Sequence, residues 1–267
     1  MRVILVSIFI LIVSSCFRHE GYELVWHDEF NYIGLPDSTK WSYDIEGNSW
    51  QWGNNELQHY TSHNETNAWV QDDKLYITAT KSSNPAQPYT SARIITKGKG
   101  EWQYGRIEVC AKVAGGQGAW PAIWMLPVNN EYGDWPASGE IDIMEYVGYQ
   151  PDSIYCTVHT GAYNHTKNTQ KSAAWHLADA QHEFHEYAIE WTEKSCKFFI
   201  DGHKCFVFHK EAKASSEQWP FDQPFYLILN VAVGGHWGGK YGIDESIFPS
   251  TMEIDYVRVY QKSKPHN

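Results

Sequence analysis

The most informative nine residues of the chain are Ser138-Gly139-Glu140-Ile141-Asp142-Ile143-Met144-Glu145-Tyr146. Side chains alternate between the two faces of a β-strand, so Glu140 and Asp142 share one face and the isoleucines share the other. Strict alternation would turn Glu145 toward the apolar face. A β-bulge, one extra residue around Ile143 or Met144, returns Glu145 to the acidic face. The pattern therefore predicts a strand with an apolar face behind it and three carboxyls in front.

Three carboxyls this close together predict acid–base chemistry. Neighbouring like charges cannot all ionise easily, so their pKa values spread apart. One acid then stays charged while another stays protonated, as in a retaining glycosidase, whose carboxyls lie about 5–5.5 Å apart. The alternative is an exposed acidic strand face without chemistry. The bulge spacing and the aromatic residues nearby favour the catalytic interpretation.

Residues 139–145 resemble the signature of glycoside hydrolase family 16, in the bulged form typical of its laminarinases, the endo-1,3-β-glucanases. The resemblance covers nearly all of residues 22–261. It implies that Glu140 is the nucleophile, that Glu145 is the acid/base and that Asp142 assists between them. It also implies a curved jelly roll of the concanavalin A-like type, with a substrate cleft across the concave sheet.

From Tyr22 onward the chain is a series of short strands separated by Gly, Pro, Asn and Asp turns. Strands are predicted at residues 75–79, 105–109, 185–191 and 256–260, and no long helical periodicity competes with them. The pattern predicts an all-β fold, an antiparallel β-sandwich of jelly-roll type. We expect one catalytic domain over residues 20–262 and a short tail at 263–267.

Composition narrows the range of partners. The chain of 267 residues carries a formal net charge of −11, which argues against nucleic acid or anionic membranes as partners, because these need basic patches. The acidic balance suits a secreted protein that acts on a neutral polymer, although solubility alone could explain it, and the aromatic content is high, with 13 Trp and 17 Tyr. We expect a monomer whose partner is a β-glucan polysaccharide or oligosaccharide.

Residues 1–18 have the pattern of a targeting segment. Arg2 precedes an apolar run from Val3 to Val13, which is short for a membrane span. The sequence Val13-Ser14-Ser15-Cys16 resembles a bacterial lipobox, in which the cysteine is lipidated. The alternative is an ordinary cleaved signal with an incidental cysteine. Either way the protein is predicted to be exported, as a lipoprotein of the bacterial cell envelope or as an extracellular protein, with membrane contact only through the lipid.

Four further cysteines, Cys110, Cys156, Cys196 and Cys205, would permit disulfides in an exported protein. Cys110 and Cys156 are predicted to be strand residues that fill the core. Cys196 and Cys205 flank a hairpin with an Asp201-Gly202 turn. Pairing Ile200 with His203 places Phe198 opposite Cys205, so Cys196 is offset from it. The pattern favours four free thiols over disulfides.

Aromatic and polar residues near the acids are candidates for substrate binding. Trp120, Ala122 and Trp124 share a strand face, and Trp237 lies in the glycine-rich loop 234–239. Aromatic rings bind the apolar faces of sugars, although most tryptophans belong to a core. The family resemblance implies that four tryptophans contact glucose units and that Asn54 and Arg93 bind donor-side sugars; the tryptophans are Trp120, Trp124, Trp135 and Trp237. A surface salt bridge is the alternative for Arg93.

Two further candidates come from strands. His159 lies on the strand after the acidic one, where it either tunes the acid pair, binds substrate or is a buried structural histidine. Asn230 either points into the cleft from its strand or is structural.

The resemblance also implies a structural calcium ion on the convex side, with ligands that correspond to Glu29, Asp73 and Asp255. Calcium prefers carboxylate and carbonyl oxygens. Asp73 stands where the family usually has glycine; a carbonyl ligand survives that change, but a positive φ is less comfortable for aspartate. From the residues alone these are surface acids. The chemistry itself is expected to need no cofactor.

Together these patterns predict a secreted or lipid-anchored endo-β-glucanase that hydrolyses β-1,3 linkages of laminarin-type glucans with retention of configuration. The alternatives are a hydrolase of the same family that acts on mixed-linkage β-glucan or on a galactan, and a β-glucan-binding protein without catalysis, since a fold does not fix a function.

Overall fold

The computed structural model describes residues 21–263 and consists mostly of β-strands. Three 3₁₀ segments, Glu46–Gly53, His165–Lys167 and Glu245–Ile247, lie between strands. The strands are β1 (Tyr22–Asp28), β2 (Ser42–Tyr43), β3 (Gln58–Tyr60), β4 (Ala68–Gln71), β5 (Lys74–Lys81), β6 (Tyr89–Ser91), β7 (Arg93–Ile95), β8 (Gly105–Lys112), β9 (Ala119–Pro127), β10 (Glu140–Tyr146), β11 (Ser153–His159), β12 (Lys171–His176), β13 (His185–Trp191), β14 (Ser195–Ile200), β15 (His203–His209), β16 (Phe225–Val233) and β17 (Ser250–Lys262).

The strands form two sheets. The larger sheet has the order β15-β14-β13-β8-β17-β5-β6-β3, with β1 also paired to β17 and β4 to β5. The smaller sheet has the order β12-β11-β10-β9-β16-β7-β2. Neighbouring strands are antiparallel except for β3 and β6, which run parallel. The predicted antiparallel β-sandwich of jelly-roll type is confirmed.

The core lies between the two sheets. In β5 and β17 buried residues alternate with partly exposed ones, as expected for strands that cover the core with one face. Ile141, Ile143 and Met144 of β10 are fully buried and belong to this core. The acidic face of β10 therefore points away from the core, toward the outer surface of the smaller sheet.

Pairing of β10 with its neighbours shows the predicted bulge. On the β9 side Asp142 pairs with Trp124 and Met144 pairs with the adjacent Ile123, so Ile143 is the extra residue. On the β11 side the register also shifts between Asp142 and Glu145. Glu145 thereby regains the face of Asp142, and the bulge prediction is confirmed.

The four strands predicted in detail are confirmed within β5, β8, β13 and β17. The hairpin of β14 and β15 has the predicted Ile200–His203 pair. The predicted position of Cys205 opposite Phe198 is wrong, because a bulge in β15 pairs Phe198 with Phe206 instead. The rings of Phe198 and Phe206 stack with centroids 5.3 Å apart, a contact that the regular register would not provide.

The predicted targeting segment 1–18, the lipidation of Cys16 and most of the tail 263–267 lie outside the described residues and stay predictions. Within residues 21–263, no helix has both the length and the apolar character needed to cross a bilayer.

Candidate active site

A cleft of about 710 Å³ crosses the outer face of the smaller sheet. Its floor includes the side chains of β10 that the sequence singled out, Glu140, Asp142 and Glu145. Residues of β9, β16 and β7 continue the floor to one side, and the loop after β2 forms part of the wall. The bulge in β10 is what allows all three carboxyls to reach this cleft.

Tryptophan N–H groups hold the two glutamates from opposite sides. Trp135 Nε1 donates a hydrogen bond of 2.9 Å to Glu140 Oε2. Trp120 Nε1 donates one of 3.2 Å to Glu145 Oε1. Each indole therefore fixes one oxygen of its carboxyl. Trp120 and Trp135 therefore hydrogen-bond the acids directly, in addition to lining the cleft.

Asp142 lies between the glutamates and is almost fully buried. Its carboxyl hydrogen-bonds the carboxyl of Glu140, and its pKa is raised well above the ordinary value by burial and by the charges of Glu140 and Glu145. His159 Nε2 lies 3.5 Å from Asp142 Oδ2 and 3.7 Å from Glu140 Oε1. A protonated Asp142 can thus donate to Glu140 and stabilise its negative charge.

Burial raises the pKa of both glutamates, but not equally. The pKa of Glu140 is raised to about 7, with the Trp135 and Asp142 hydrogen bonds and the nearby Arg93 charge opposing the burial. The pKa of Glu145 is raised to about 8, by burial first and by the charge of Glu140 second. The surroundings of Glu140 therefore favour its ionised form more than those of Glu145 do. A charged Glu140 beside a protonated Glu145 is the state that a nucleophile and a general acid require.

His159 is a neutral imidazole in this setting. Burial, together with the neighbouring His165, lowers its pKa to about 4. Its ring lies 5.9 Å from that of Trp135 and 5.2 Å from that of His165. It contacts the acids but is not among the residues that line the cleft. Of the three predicted roles, these contacts support tuning of the acid pair.

The same three groups have the spacing of metal ligands. Glu140, Asp142 and His159 each offer one ligand atom, and these three atoms lie within 4.8 Å of one another. In the described part of the chain, no other group of three or more His, Cys, Asp and Glu side chains has this spacing. A metal ion there would compete with the proton shared by Asp142 and Glu140.

Arg93 is a buried cleft residue rather than a surface one. Its guanidinium lies between two indoles, 4.4 Å from the ring centroid of Trp52 and 4.6 Å from that of Trp124. Its Nε is 3.0 Å from Asp44 Oδ2. The alternative of a surface salt bridge is wrong, because the side chain is enclosed by the rings and the paired carboxylate. Arg93 and Trp124 therefore form one wall of the cleft on the side away from β11.

Asn230 and Asn54 also line this part of the cleft. Asn230 accepts a 2.7 Å hydrogen bond from Trp124 Nε1 and donates one of 3.0 Å to the Tyr60 hydroxyl. The Asn54 amide donates to Glu56 Oε1 at 3.2 Å. Both amides are thus held in fixed orientations at the edge of the site.

Trp237 lies beside the cleft lining rather than within it. Its ring packs edge to face against Trp120 at 5.4 Å and against Tyr155 at 5.1 Å. These two rings leave the side chain half-buried. Since Trp120 binds Glu145, Trp237 lies on the acid/base side of the site.

The structure adds cleft residues that the sequence patterns did not single out. They include Trp52, which packs on Arg93, and Glu56, a buried carboxylate held by the amides of Asn54 and Gln58. Trp50 is 61% exposed at the cleft rim. Trp52 and Glu56 each lie two residues from Asn54, a predicted sugar ligand, so proximity to Asn54 was the available signal.

The three predicted calcium residues lie around a gap on one side of β17. β5 pairs with β17 as far as Ile254, and β1 pairs from Val257 onward. The end of β1 at Glu29 and the turn before β5 at Asp73 therefore meet beside Asp255. This is far from the cleft, on the other sheet.

The local chemistry there fits a cation that takes backbone oxygens. Asp73 adopts a φ of 55°, so the chain forms the glycine-like turn despite the aspartate. Arg258 binds the Glu29 carboxylate at 2.7 and 2.9 Å, so the backbone carbonyl is the oxygen that Glu29 would offer to a cation. Two carbonyls and the Asp255 carboxylate are suitable calcium ligands. The calcium site stays a prediction.

Fold and site together define a class. A β-sandwich whose open face carries a tryptophan-lined cleft with paired carboxyls on its floor is the arrangement of a glycosidase. The chain belongs to glycosyl hydrolases family 16, whose family model matches residues 54–258. The recognition made from the signature at residues 139–145 is confirmed.

Individual relatives agree with this assignment. The chain is 49% identical over 246 residues to a β-glucanase from Rhodothermus marinus, covering 90% of this chain and 85% of that protein. The crystal structure of the laminarinase from Rhodothermus marinus superposes with a TM-score of 0.88 at 48% identity, covering 91% of this chain and 98% of that one. A variant of a non-specific endo-β-1,3(4)-glucanase, crystallised with 1,3-β-D-cellotriosyl-glucose, gives a TM-score of 0.86 at 48% identity, covering 90% and 95%.

Proposed function

We propose that the protein is a retaining endo-1,3-β-glucanase that cleaves laminarin-type glucans. The observation that carries the proposal is the arrangement of Glu140, Asp142 and Glu145 on the floor of one cleft, with each glutamate held by an indole N–H. The relatives that cover nearly the whole chain include enzymes named as β-glucanases and laminarinases.

In the first step Glu140 attacks the anomeric carbon of the sugar on its side of the cleft. Trp135 holds the Glu140 carboxyl in place through Oε2. Asp142 donates a hydrogen bond to the Glu140 carboxylate and keeps its own proton, which favours the ionised form of Glu140 until attack. Glu145 protonates the departing glycosidic oxygen, and a covalent glycosyl-enzyme forms.

In the second step the ionised Glu145 takes a proton from water, and the resulting hydroxide attacks the anomeric carbon. Trp120 holds Glu145 Oε1, so Oε2 is the oxygen that transfers the proton in both steps. The bond to Glu140 breaks, and the product keeps the configuration of the substrate. Two inversions at one carbon give net retention.

The walls of the cleft supply binding for neutral sugars. Trp124 and Trp52 present aromatic faces for the apolar sides of glucose rings, while Asn54, Arg93 and Asn230 offer hydrogen bonds to hydroxyls. Trp237 extends the aromatic surface on the acid/base side, where the leaving part of the chain binds.

A second candidate substrate is mixed-linkage β-1,3-1,4-glucan. It is favoured by the similarity to the endo-β-1,3(4)-glucanase, whose name describes it as non-specific. The same carboxyls would act on either linkage, since both place an anomeric carbon between Glu140 and Glu145. Discrimination would then come from the fit of neighbouring glucose units along the cleft wall.

Release of reducing ends from laminarin, lichenan and agarose tests the proposal. We expect the wild type to act on laminarin, and Glu140→Ala or Glu145→Ala to lose at least about 10³-fold in kcat while still binding oligosaccharide. The control is Glu193→Ala, an exposed glutamate outside the cleft. Binding of laminarin without release of reducing ends would show a glucan-binding protein instead, and near-normal turnover of either cleft variant would overturn the residue roles.

A further inference from the structure

Two cysteines from different sheets meet behind the catalytic strand. Cys156 Sγ, on β11 of the smaller sheet, lies 3.6 Å from Cys205 Sγ, on β15 of the larger sheet. The Cα atoms of these two strands approach within 8 Å. Cys156 is fully buried and Cys205 is half-buried. We propose that Cys156 and Cys205 form a reversible dithiol–disulfide pair that links the outer strand of the larger sheet to the active-site sheet.

The two sulfurs need only a small movement to bond. A disulfide requires a sulfur–sulfur distance of about 2.05 Å, so each sulfur must approach by less than about 1 Å. A rotation of roughly 30° about χ1 moves a cysteine sulfur by this distance and stays within one staggered well. The bridge would close a loop of 48 intervening residues and cross the interior between the sheets, a long-range constraint of the stabilising kind.

The bulge in β15 makes Cys205 the reactive member of the pair. Cys205 is the extra residue between Lys204 and Phe206 in the pairing with β14. Its sulfur lies 3.6 Å from Cys156 Sγ, and the proximity of that thiol and of the backbone N–H groups of Cys205 and Phe206 lowers its pKa. The neighbouring Cys205 thiol first, and burial second, raise the pKa of Cys156. A thiolate is the nucleophile in disulfide exchange, so Cys205 reacts first.

The bond also reaches the catalytic strand. Cys156 Sγ donates to the backbone carbonyl of Ile143 at 3.2 Å, and Ile143 is the extra residue of the β10 bulge. On β11, Cys156 lies between Tyr155, which pairs with Glu145, and Thr157, which pairs with Asp142. Oxidation removes the S–H donor, so the bulge carbonyl loses this hydrogen bond. The redox state of the pair therefore changes a hydrogen bond of the β10 bulge, two residues before the acid/base Glu145.

The oxidation is an exchange with an external disulfide such as oxidised glutathione. The Cys205 thiolate attacks one sulfur of that disulfide. A mixed disulfide forms on Cys205, and the other half of the external disulfide leaves as a thiol. Cys156 then attacks the Cys205 sulfur, gives up its proton and releases the second thiol. Two protein thiols become one disulfide while one external disulfide becomes two thiols, so atoms and electrons balance.

Peptide mapping of the native protein tests the pair. The protein is incubated with oxidised or reduced glutathione, alkylated, digested with trypsin and analysed by mass spectrometry. Cys205 falls on the tryptic peptide 205–210 and Cys156 on the peptide 113–167, with no other cysteine on either. After oxidation we expect one cross-linked species that contains both peptides and lacks two hydrogens, and alkylation of both cysteines after reduction.

Cys110 is the matched control, because it is half-buried like Cys205 but its pKa is raised to about 12 by burial. Under both conditions Cys110 should be found alkylated or as the free thiol, with no glutathione attached.

In Cys156→Ala the mixed disulfide should accumulate on Cys205, and in Cys205→Ser no cross-link should form. The wild type should gain Tm on oxidation and lose it with reductant, while Cys205→Ser should show no such change. A stable glutathione adduct on Cys205 in the wild type, or free thiols at both positions after oxidation, would overturn the proposal.

Discussion

At the level of single residues, Glu140 and Glu145 differ in what surrounds them. Glu140 receives an indole hydrogen bond, a carboxyl hydrogen bond from Asp142 and the field of Arg93, all of which favour its ionised form. Glu145 has one indole hydrogen bond and faces the charge of Glu140, which favours its protonated form. Two chemically identical side chains thus acquire opposite roles from their neighbours.

These surroundings predict the pH dependence of kcat/KM, which reports the free enzyme. Activity should rise as Glu140 loses its proton, near pH 7, and fall as Glu145 loses its proton, near pH 8. Because the carboxyls interact, the two limbs belong to the group as a whole. An initial-rate profile on laminarin checks this. Both limbs at the ordinary pKa of an exposed glutamate, near pH 4 to 5, would contradict the buried arrangement.

The control for the profile is an aryl β-glucoside of laminaribiose, whose leaving group needs no protonation. With this substrate the fall above pH 8 should disappear for the first step, while the rise near pH 7 should remain. A rise displaced to near pH 8 instead would exchange the roles of the two glutamates.

Most of the catalytic residues could be predicted from the sequence because they are close together in it. Glu140, Asp142 and Glu145 fall within six positions, and the alternation of acidic and apolar residues fixes their faces. The partners of Arg93 could not be predicted in this way. Asp44 and Trp52 reach it from distant loops, and no periodicity links them.

At the level of elements, the bulge in β10 brings Glu145 to the cleft while keeping Ile143 and Met144 in the core. Its position follows from the spacing of acids and apolar residues. The bulge in β15 has no such signature, because the apolar run 205–208 has no alternation to mark the extra residue, and the strand is a partly exposed edge strand. It is set by the stacking of Phe198 on Phe206, a contact that only the folded hairpin reveals.

Deleting Ile143 tests how the bulge works. The remaining residues would pair with β9 as they do now, Asp142 with Trp124 and Glu145 with Ala122, and all carboxyls would keep their face in a regular strand. We expect a folded enzyme within about 10²-fold of normal kcat. It should be less stable by about 2–5 kcal/mol, because a buried isoleucine is lost. Hydrolysis of laminarin and urea unfolding measure the two effects.

The paired variant inserts one alanine between Ile143 and Met144. This change moves Glu145 out of register with Asp142 and turns it toward the core, so turnover should be abolished. An insertion variant that hydrolyses laminarin normally, or a folded deletion variant with no turnover, would contradict the account of the bulge.

At the level of the whole molecule, the two sheets have separate tasks. The smaller sheet carries the cleft, and the larger sheet covers the core from the opposite side. We propose that Ca²⁺ binds the larger sheet where the end of β1, the turn before β5 and Asp255 of β17 meet. Such an ion would join three segments that are distant in sequence and leave the chemistry unchanged.

Thermal unfolding tests this calcium site. At a concentration 100 times its Kd, a ligand stabilises a protein by about 2.7 kcal/mol, which corresponds to roughly 5–10 °C in Tm for a domain of this size. We expect chelation to lower Tm by this amount, Ca²⁺ to restore it and Mg²⁺ to be less effective. Asp255→Asn should remove the response. An unchanged Tm in chelator and in Ca²⁺ would contradict the site.

The stereochemistry of laminarin hydrolysis tests the central claim most directly, because only a covalent intermediate on Glu140 followed by attack of water yields retention. Proton NMR of the wild-type reaction, recorded within minutes of mixing, distinguishes the two anomers of the new reducing ends before they interconvert. We predict that the β-anomer appears first and that the α-anomer follows by mutarotation. The α-anomer appearing first would show inversion and would contradict the assignment of Glu140 as nucleophile and Glu145 as acid/base.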